Sequence, residues 1–231
     1  MTVRRPPAGH AGMTVRRPPA GHAGMTRPRP AIAVLDYGVG NLHSATKALD
    51  RAGADVRVVP SVAAAAGAAG LVVPGVGAYG ACLAGLGSAG GAGAVAGWLA
   101  AGRPLLGICV GMQLAFEASE EGPVTGGIGV VPGTVRRLAG GVKVPHIGWN
   151  EVAVRNGSRL FAGLPSGTRF YFVHSYAPEA GGDAVAAVCD YGAPFAAAIE
   201  RGNLFGTQFH PEKSGASGLA LLGNFVEVCA T

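Results

Sequence analysis

The stretch Pro104-Leu-Leu-Gly-Ile-Cys109-Val-Gly-Met-Gln113 decides the fold, because it sets one cysteine at a strand-to-helix corner. Leu105, Leu106 and Ile108 form an apolar run that reads as a buried strand. Gly107 and Gly111 then bracket Cys109. That Gly-x-Cys-x-Gly spacing matches a nucleophile elbow, a turn sharp enough that bulky neighbours would clash. A helix is expected to follow through Met112, Gln113, Leu114 and Phe116. Its first amides would point at the sulfur, which favours the thiolate. Taken alone, a cysteine in an apolar strand is equally well a small buried residue.

A second segment, Phe205-Gly-Thr-Gln-Phe-His210-Pro-Glu212-Lys213, ends another apolar strand with a histidine and a carboxylate two residues apart. In an extended chain such residues share a face. Pro211 fixes its own φ and biases His210 towards the β region, so the unit is locally stiff. A base beside a carboxylate that orients its ring is the second half of a nucleophile–base–orienter triad. The chain order Cys109, His210, Glu212 differs from that of α/β-hydrolases, in which the acid precedes the histidine on a separate loop.

With these two segments in view, the chain resembles the class I, or triad, glutamine amidotransferases, which share a Gly-Ile-Cys-x-Gly-x-Gln elbow and a C-terminal His-Pro-Glu. Five stretches, the last of them extending the His-Pro-Glu segment, narrow the resemblance. They are Leu35-Asp-Tyr-Gly-Val-Gly-Asn41-Leu, Val73-Pro-Gly-Val-Gly77, Pro145-His-Ile-Gly-Trp149-Asn, Tyr171-Phe-Val-His174-Ser175-Tyr176 and His210-Pro-Glu-Lys213-Ser214. In order from about residue 31 to the end, they resemble the glutaminase subunits of imidazole glycerol phosphate synthases, enzymes of histidine biosynthesis.

The resemblance implies a division of roles. Cys109, His210 and Glu212 would be the catalytic triad, hydrolysing L-glutamine to glutamate and ammonia. An oxyanion hole would use the amide of Val110, expected from elbow geometry, and that of Gly77 in the loop after a neighbouring strand. That loop, read by itself, is a plain turn. Gly75, Gln113, Glu121, Ser175 and Tyr176 would hold the substrate. Glu117 and Glu120 compete with Glu121 for its ammonium, and a solvated acidic face explains all three equally well. His174 reads as a hydrogen-bonded core histidine, and His43 as a surface helix residue. His146 has no chemical role on this reading. Asn41, Trp149, Tyr171 and Lys213 would face a partner, although a turn, two core aromatics and a solvated charge account for them as well. The implied partner is the (β/α)8-barrel cyclase subunit, which would use the ammonia to make imidazole glycerol phosphate and an aminoimidazole carboxamide ribotide. Nothing in the chain could itself use that ammonia, since no phosphate-cradling Gly-x-x-x-x-Gly-Lys loop occurs.

Composition limits the alternatives. The 231 residues are 49% hydrophobic and carry a formal net charge of +5. Six arginines and no acid fall within residues 1–30, leaving 12 basic against 13 acidic residues and a net of −1 for the remainder. The basic balance therefore belongs to the tail, and nucleic-acid binding loses its main support. No uninterrupted apolar run reaches membrane-spanning length, so no membrane partner is expected. Cys82, Cys109, Cys189 and Cys229 show no metal-type spacing. Free thiols in a cytoplasmic protein, with no metal and no cofactor, are the expectation.

Residues 1–12 recur unchanged as 13–24. So much proline, glycine and arginine cannot bury a core, so residues 1–30 are expected to be a disordered tail before an amidotransferase domain at 31–231. A duplicated upstream segment or an over-extended start explains the repeat better than targeting does. From Ala31 a β-α-β-α rhythm is predicted: strands at 32–35, 55–59 and 71–73, and helices at 42–52 and 92–101, with a weak alanine-rich helix before the third strand. The expected fold is α/β, a doubly wound and mostly parallel sheet with helices on both faces. Short strands near 150–154, 169–173, 184–188, 195–199 and 204–209 add a mixed C-terminal extension, and a helix at 217–228 closes the domain. Two rival functions remain: a glutaminase serving another synthase, and a redox sensor whose elbow cysteine is not catalytic. The Tyr171 and Pro145 motifs oppose the first, and the His210–Glu212 pair opposes the second.

Overall fold

In a computed structural model, residues 28–123, 125–155 and 157–231 are described. The repeat at 1–24 lies outside them.

The core begins where the apolar runs are longest. β1 (Ala31–Leu35), β3 (Gly70–Gly75) and β4 (Leu105–Cys109) are buried along almost their whole length, as parallel strands covered on both faces must be. With β2 (Asp55–Val59) and β13 (Leu204–Thr207) they form the parallel half of a nine-stranded sheet, in the order β2-β1-β3-β4-β13. β12 (Ala193–Arg201), β11 (Val185–Tyr191), β8 (His146–Val154) and β9 (Thr168–His174) continue it as antiparallel neighbours. Gly202 and Asn203 join β12 to β13 as a two-residue hairpin, with Gly202 at φ +60° as such a turn demands.

Helices α1 (Leu42–Arg51) and α5 (Gly215–Cys229) pack together, as do α2 (Tyr79–Ser88) and α3 (Gly91–Ala100). Asn41 caps α1, its side-chain oxygen accepting from the Ser44 amide at 3.3 Å. Sequence reading found no helix at α2. Its glycines (80, 85 and 87) lower intrinsic propensity, but Gly85 lets the helix pack directly against the Tyr37 backbone, where a Cβ would collide. The alanine-rich segment before β3 forms only a 3-10 turn at Ala63–Ala65.

A second sheet was also absent from the sequence reading. It runs β10 (Tyr176–Pro178), β7 (Val131–Arg137), β5 (Phe116–Ser119) and β6 (Thr125–Gly126). It corrects one expectation directly: the helix after Cys109, α4, is a single turn at Val110–Gln113, and Phe116 already pairs with Val131 in a strand. All four α4 residues are buried, and so are Leu114, Ala115 and Phe116 after them. Arg29 and Pro30, at the end of the expected tail, make hydrogen bonds to the domain. Arg29 donates to Asp50 Oδ1 at 2.6 Å and to the Gly53 carbonyl at 3.2 Å, and the Pro30 carbonyl accepts from the Asp55 amide at 2.9 Å.

Candidate active site

The C-terminal edge of the parallel strands gathers the chemistry, as open α/β sheets require. Cys109 ends β4 at φ 55° and ψ −113°, the one non-glycine residue with positive φ among those described. A conformation so sparsely populated costs about 1–3 kcal/mol and persists only where its surroundings enforce it. Those surroundings are glycines. A Cβ on Gly107 would strike the Gly111 and Met112 backbone, and one on Gly111 would strike the Val73 carbonyl. Gly75, paired in register with Cys109, has its α-carbon hard against the Gly111 amide.

His210 leaves the sheet just after β13, its main-chain amide donating to the Tyr171 carbonyl at 2.9 Å. The 3-10 turn at Pro211–Lys213 brings Glu212 back onto the ring, with Oε1 accepting from Nδ1 at 2.7 Å. Both side chains are almost completely buried. Burial by itself pushes the His210 pKa down, but hydrogen bonds to Cys109 and Glu212 outweigh it and lift the imidazole to about 10. The fold thus favours a charged imidazolium between sulfur and carboxylate.

A cavity of about 450 Å³ opens beside the sulfur. Of the residues singled out by sequence, Cys109, Val110, Gly77, Gln113, Glu121, Ser175, Tyr176, His210, Asn41 and Lys213 all line it. Gln113 Nε2 donates to the Tyr176 carbonyl at 3.0 Å and to Gln208 Oε1 at 2.9 Å, while its own Oε1 is buried without a protein partner. A buried orphan acceptor in a cavity wall is a place for a ligand N–H. The Val76 carbonyl accepts a weak bond from the Cys82 thiol at 3.5 Å, which orients the peptide leading to Gly77. Among the described residues no cluster could hold a metal ion.

Four expected site residues are not in that wall. Glu212 stands behind His210, in a smaller space also lined by Gly75. A Cβ on Gly75 would strike Gly111 and Val110, so close packing also requires glycine there. Trp149 and Tyr171 lie outside the cavity, edge to face with ring centroids 6.1 Å apart, and Lys213 Nζ is 6.0 Å from the Tyr171 ring. Trp149 is 53% exposed and Ile147, on the same face of β8, is 60% exposed.

Sequence reasoning missed Gln208, and it gave His146 no role. Gln208, fully buried, donates from Nε2 to the Cys109 sulfur at 3.6 Å. Its signal was the i, i+2 alternation that puts it on one face with His210. His174 also lines the cavity, and its ring bonds His146 Nδ1 at 3.2 Å and the Tyr176 carbonyl at 3.0 Å. Burial pushes the His174 pKa down to about 3 and lowers that of His146, so both rings are neutral at ordinary pH. His146, stacked between Phe172 and Tyr191, is thus a buried hydrogen-bonding residue. His43 is exposed on α1.

A strained cysteine elbow, a buried His–Glu pair and a cavity with a free amide oxygen define an amidotransferase of the cysteine-triad type. The family model for glutamine amidotransferase class-I matches residues 33–229, and the chain belongs to that family. Its relatives narrow the assignment: it is 53% identical over 201 residues to the imidazole glycerol phosphate synthase subunit HisH of Mycolicibacterium paratuberculosis, covering 85% of this chain and 97% of that one. With the HisH subunit of Moorella thermoacetica it shares 49% identity over 199 residues, 85% of this chain and 94% of the other. Among solved structures, a glutamine amidotransferase matches with a TM-score of 0.68 at 22% identity, over 87% of this chain and 99% of that one. A putative GMP synthase component from Thermoplasma acidophilum matches at 0.65 and 25% identity, over 87% and 94%.

Proposed function

We propose that this chain is the glutamine-hydrolysing subunit of an imidazole glycerol phosphate synthase in histidine biosynthesis. The observation that carries the reading is Cys109, held at positive φ beside the His210–Glu212 pair and at the wall of a cavity containing the unpartnered Gln113 oxygen. The Cys109 thiolate attacks the carboxamide carbon of glutamine. The oxygen that gains negative charge is received by main-chain amides at Val110 and in the Val76–Gly77 loop. His210, protonated and oriented by Glu212, gives its proton to the departing nitrogen, and ammonia leaves behind a thioester. Water then attacks the thioester carbon, His210 takes the proton, and the C–S bond breaks to release glutamate and restore the thiolate. Gln113 and the Ser175–Tyr176 backbone hold the glutamine, and Glu121 binds its ammonium.

The ammonia goes to a (β/α)8-barrel cyclase subunit that docks over Asn41, Trp149, Tyr171 and Lys213. An exposed tryptophan flanked by a tyrosine, a lysine and the exposed Ile147 has the composition of an interface anchor. The chain works in the cytoplasm, binds no nucleic acid and requires no metal or cofactor. Residues 31–231 carry the activity, and residues 1–24 add nothing to it. Assays of Cys109→Ala in the assembled synthase test the division of labour. Glutamine-dependent synthesis should be lost, and synthesis from added ammonium salt retained. Equal loss with both nitrogen sources would overturn the reading.

A further inference from the structure

Gln208 is a polar side chain in the core, fully buried, and the triad does not require it. Its amide spans two active-site groups. Oε1 accepts from Gln113 Nε2 at 2.9 Å, and Nε2 donates to the Cys109 sulfur at 3.6 Å. Amide oxygens and nitrogens are easily interchanged, so the orientation has to be argued from a neighbour that cannot flip. The Tyr176 carbonyl is that neighbour. It accepts from Gln113 at 3.0 Å, which makes the Gln113 atom facing it Nε2. The same nitrogen also faces Gln208, which must present oxygen there and therefore its own N–H towards the sulfur. Reversing Gln208 would set donor against donor and oxygen against thiolate.

The carbonyl that anchors this arrangement is itself held. His174 Nδ1 donates to it at 3.0 Å, and His174 Nε2 accepts from His146 Nδ1 at 3.2 Å. Two donors thus converge on Tyr176, and the order they impose passes through Gln113 and Gln208 to Cys109. The Gln113 oxygen left without a partner follows from that order.

We infer that Gln208 is a catalytic residue of this site, donating an N–H to the Cys109 sulfur and fixing the Gln113 amide so that its oxygen stays open to the ligand. The inference rests on the proposed glutamine hydrolysis. Its test uses the full chain without glutamine, so the two can fail separately.

The measurement is the rate of iodoacetamide alkylation of Cys109 against pH, read by mass spectrometry of the Cys109 peptide, with melting temperature alongside. Gln208→Met keeps the length of the side chain and removes both polar groups. Alkylation near pH 7 should slow about tenfold, because a donor to the sulfur is gone. In glutamine turnover, kcat should fall and KM should rise together, since Gln113 is released as well. If the methionine variant does not fold, Gln208→Asn carries the same test, being one methylene too short to span both partners. An alkylation profile superimposable on that of the native chain would overturn the role of Gln208. Slowed alkylation in a chain whose native form hydrolyses no glutamine would overturn the activity, and with it the catalytic role, while leaving the hydrogen bond from Gln208 to the sulfur standing.

Discussion

His210 and Glu212 meet at 2.7 Å with both side chains almost fully buried, and the contact closes within a single 3-10 turn. Because a carboxylate oxygen accepts at Nδ1, the other ring nitrogen is free for the Cys109 side. Glu212→Gln should lower kcat about 10²-fold or more by loosening the tautomer and orientation, with KM nearly unchanged. Steady-state kinetics check this, and a large rise in KM alone would contradict it.

The same pair sets a pH dependence. The folded-state pKa of His210 is raised to about 10 from the ordinary 6.5, burial opposing the shift and the Cys109 and Glu212 contacts driving it. A raised basic group stabilises the fold fully below its unfolded pKa and loses that contribution as pH climbs through the folded value. Stability should therefore decline between about pH 6.5 and 10. Removing the sulfur in Cys109→Ala should narrow that window, as the His210 ring then titrates lower. NMR titration of the ring and denaturant melts across this range read both effects.

Cys109→Gly should be more stable than Cys109→Ala. Both lose the thiol, but only glycine adopts the φ 55° backbone of the elbow without strain, a difference of about 1–2 kcal/mol. Chemical denaturation of the two inactive variants measures it. Equal stabilities would mean that the elbow stores no strain.

Trp149→Ala should leave the melting temperature nearly unchanged, since the ring is 53% exposed and rests mainly on Tyr171. Affinity for the barrel subunit should fall at least about tenfold, the usual consequence of truncating an aromatic anchor. Calorimetric titration of the two subunits decides it, and unaltered affinity would move the docking surface elsewhere.

Truncations separate tail from domain. Removing residues 1–24 should change neither melting temperature nor activity. Removing 1–30 should lower the melting temperature, because Arg29 bridges Asp50 and Gly53, and the Pro30 carbonyl receives the Asp55 amide. Thermal melts of the two truncated chains are sufficient.

Much of this protein is written locally. The parallel strands could be read because strands covered on both faces need unbroken apolar runs, and Ala31–Leu35, Gly70–Gly75 and Leu105–Cys109 supply them. The elbow and the His-Pro-Glu unit could be read because each is set by neighbours one or two residues away. The second sheet and α2 could not. Phe116–Ser119 pairs with a segment more than ten residues on, and Gly85 packs against Tyr37 from a distant part of the chain. The site follows the same division. Sequence named Cys109, His210 and Glu212, but only the folded chain brings Gln208 to the sulfur and hangs Gln113 on the Tyr176 carbonyl across a separation of 63 residues. The close approach of Gly75 to Gly111, which lies on another element, likewise exists only in the folded chain. Short-range geometry is carried by residue type and spacing. Which buried polar atom meets which is settled by the sheet register, and that exists only once the strands have paired.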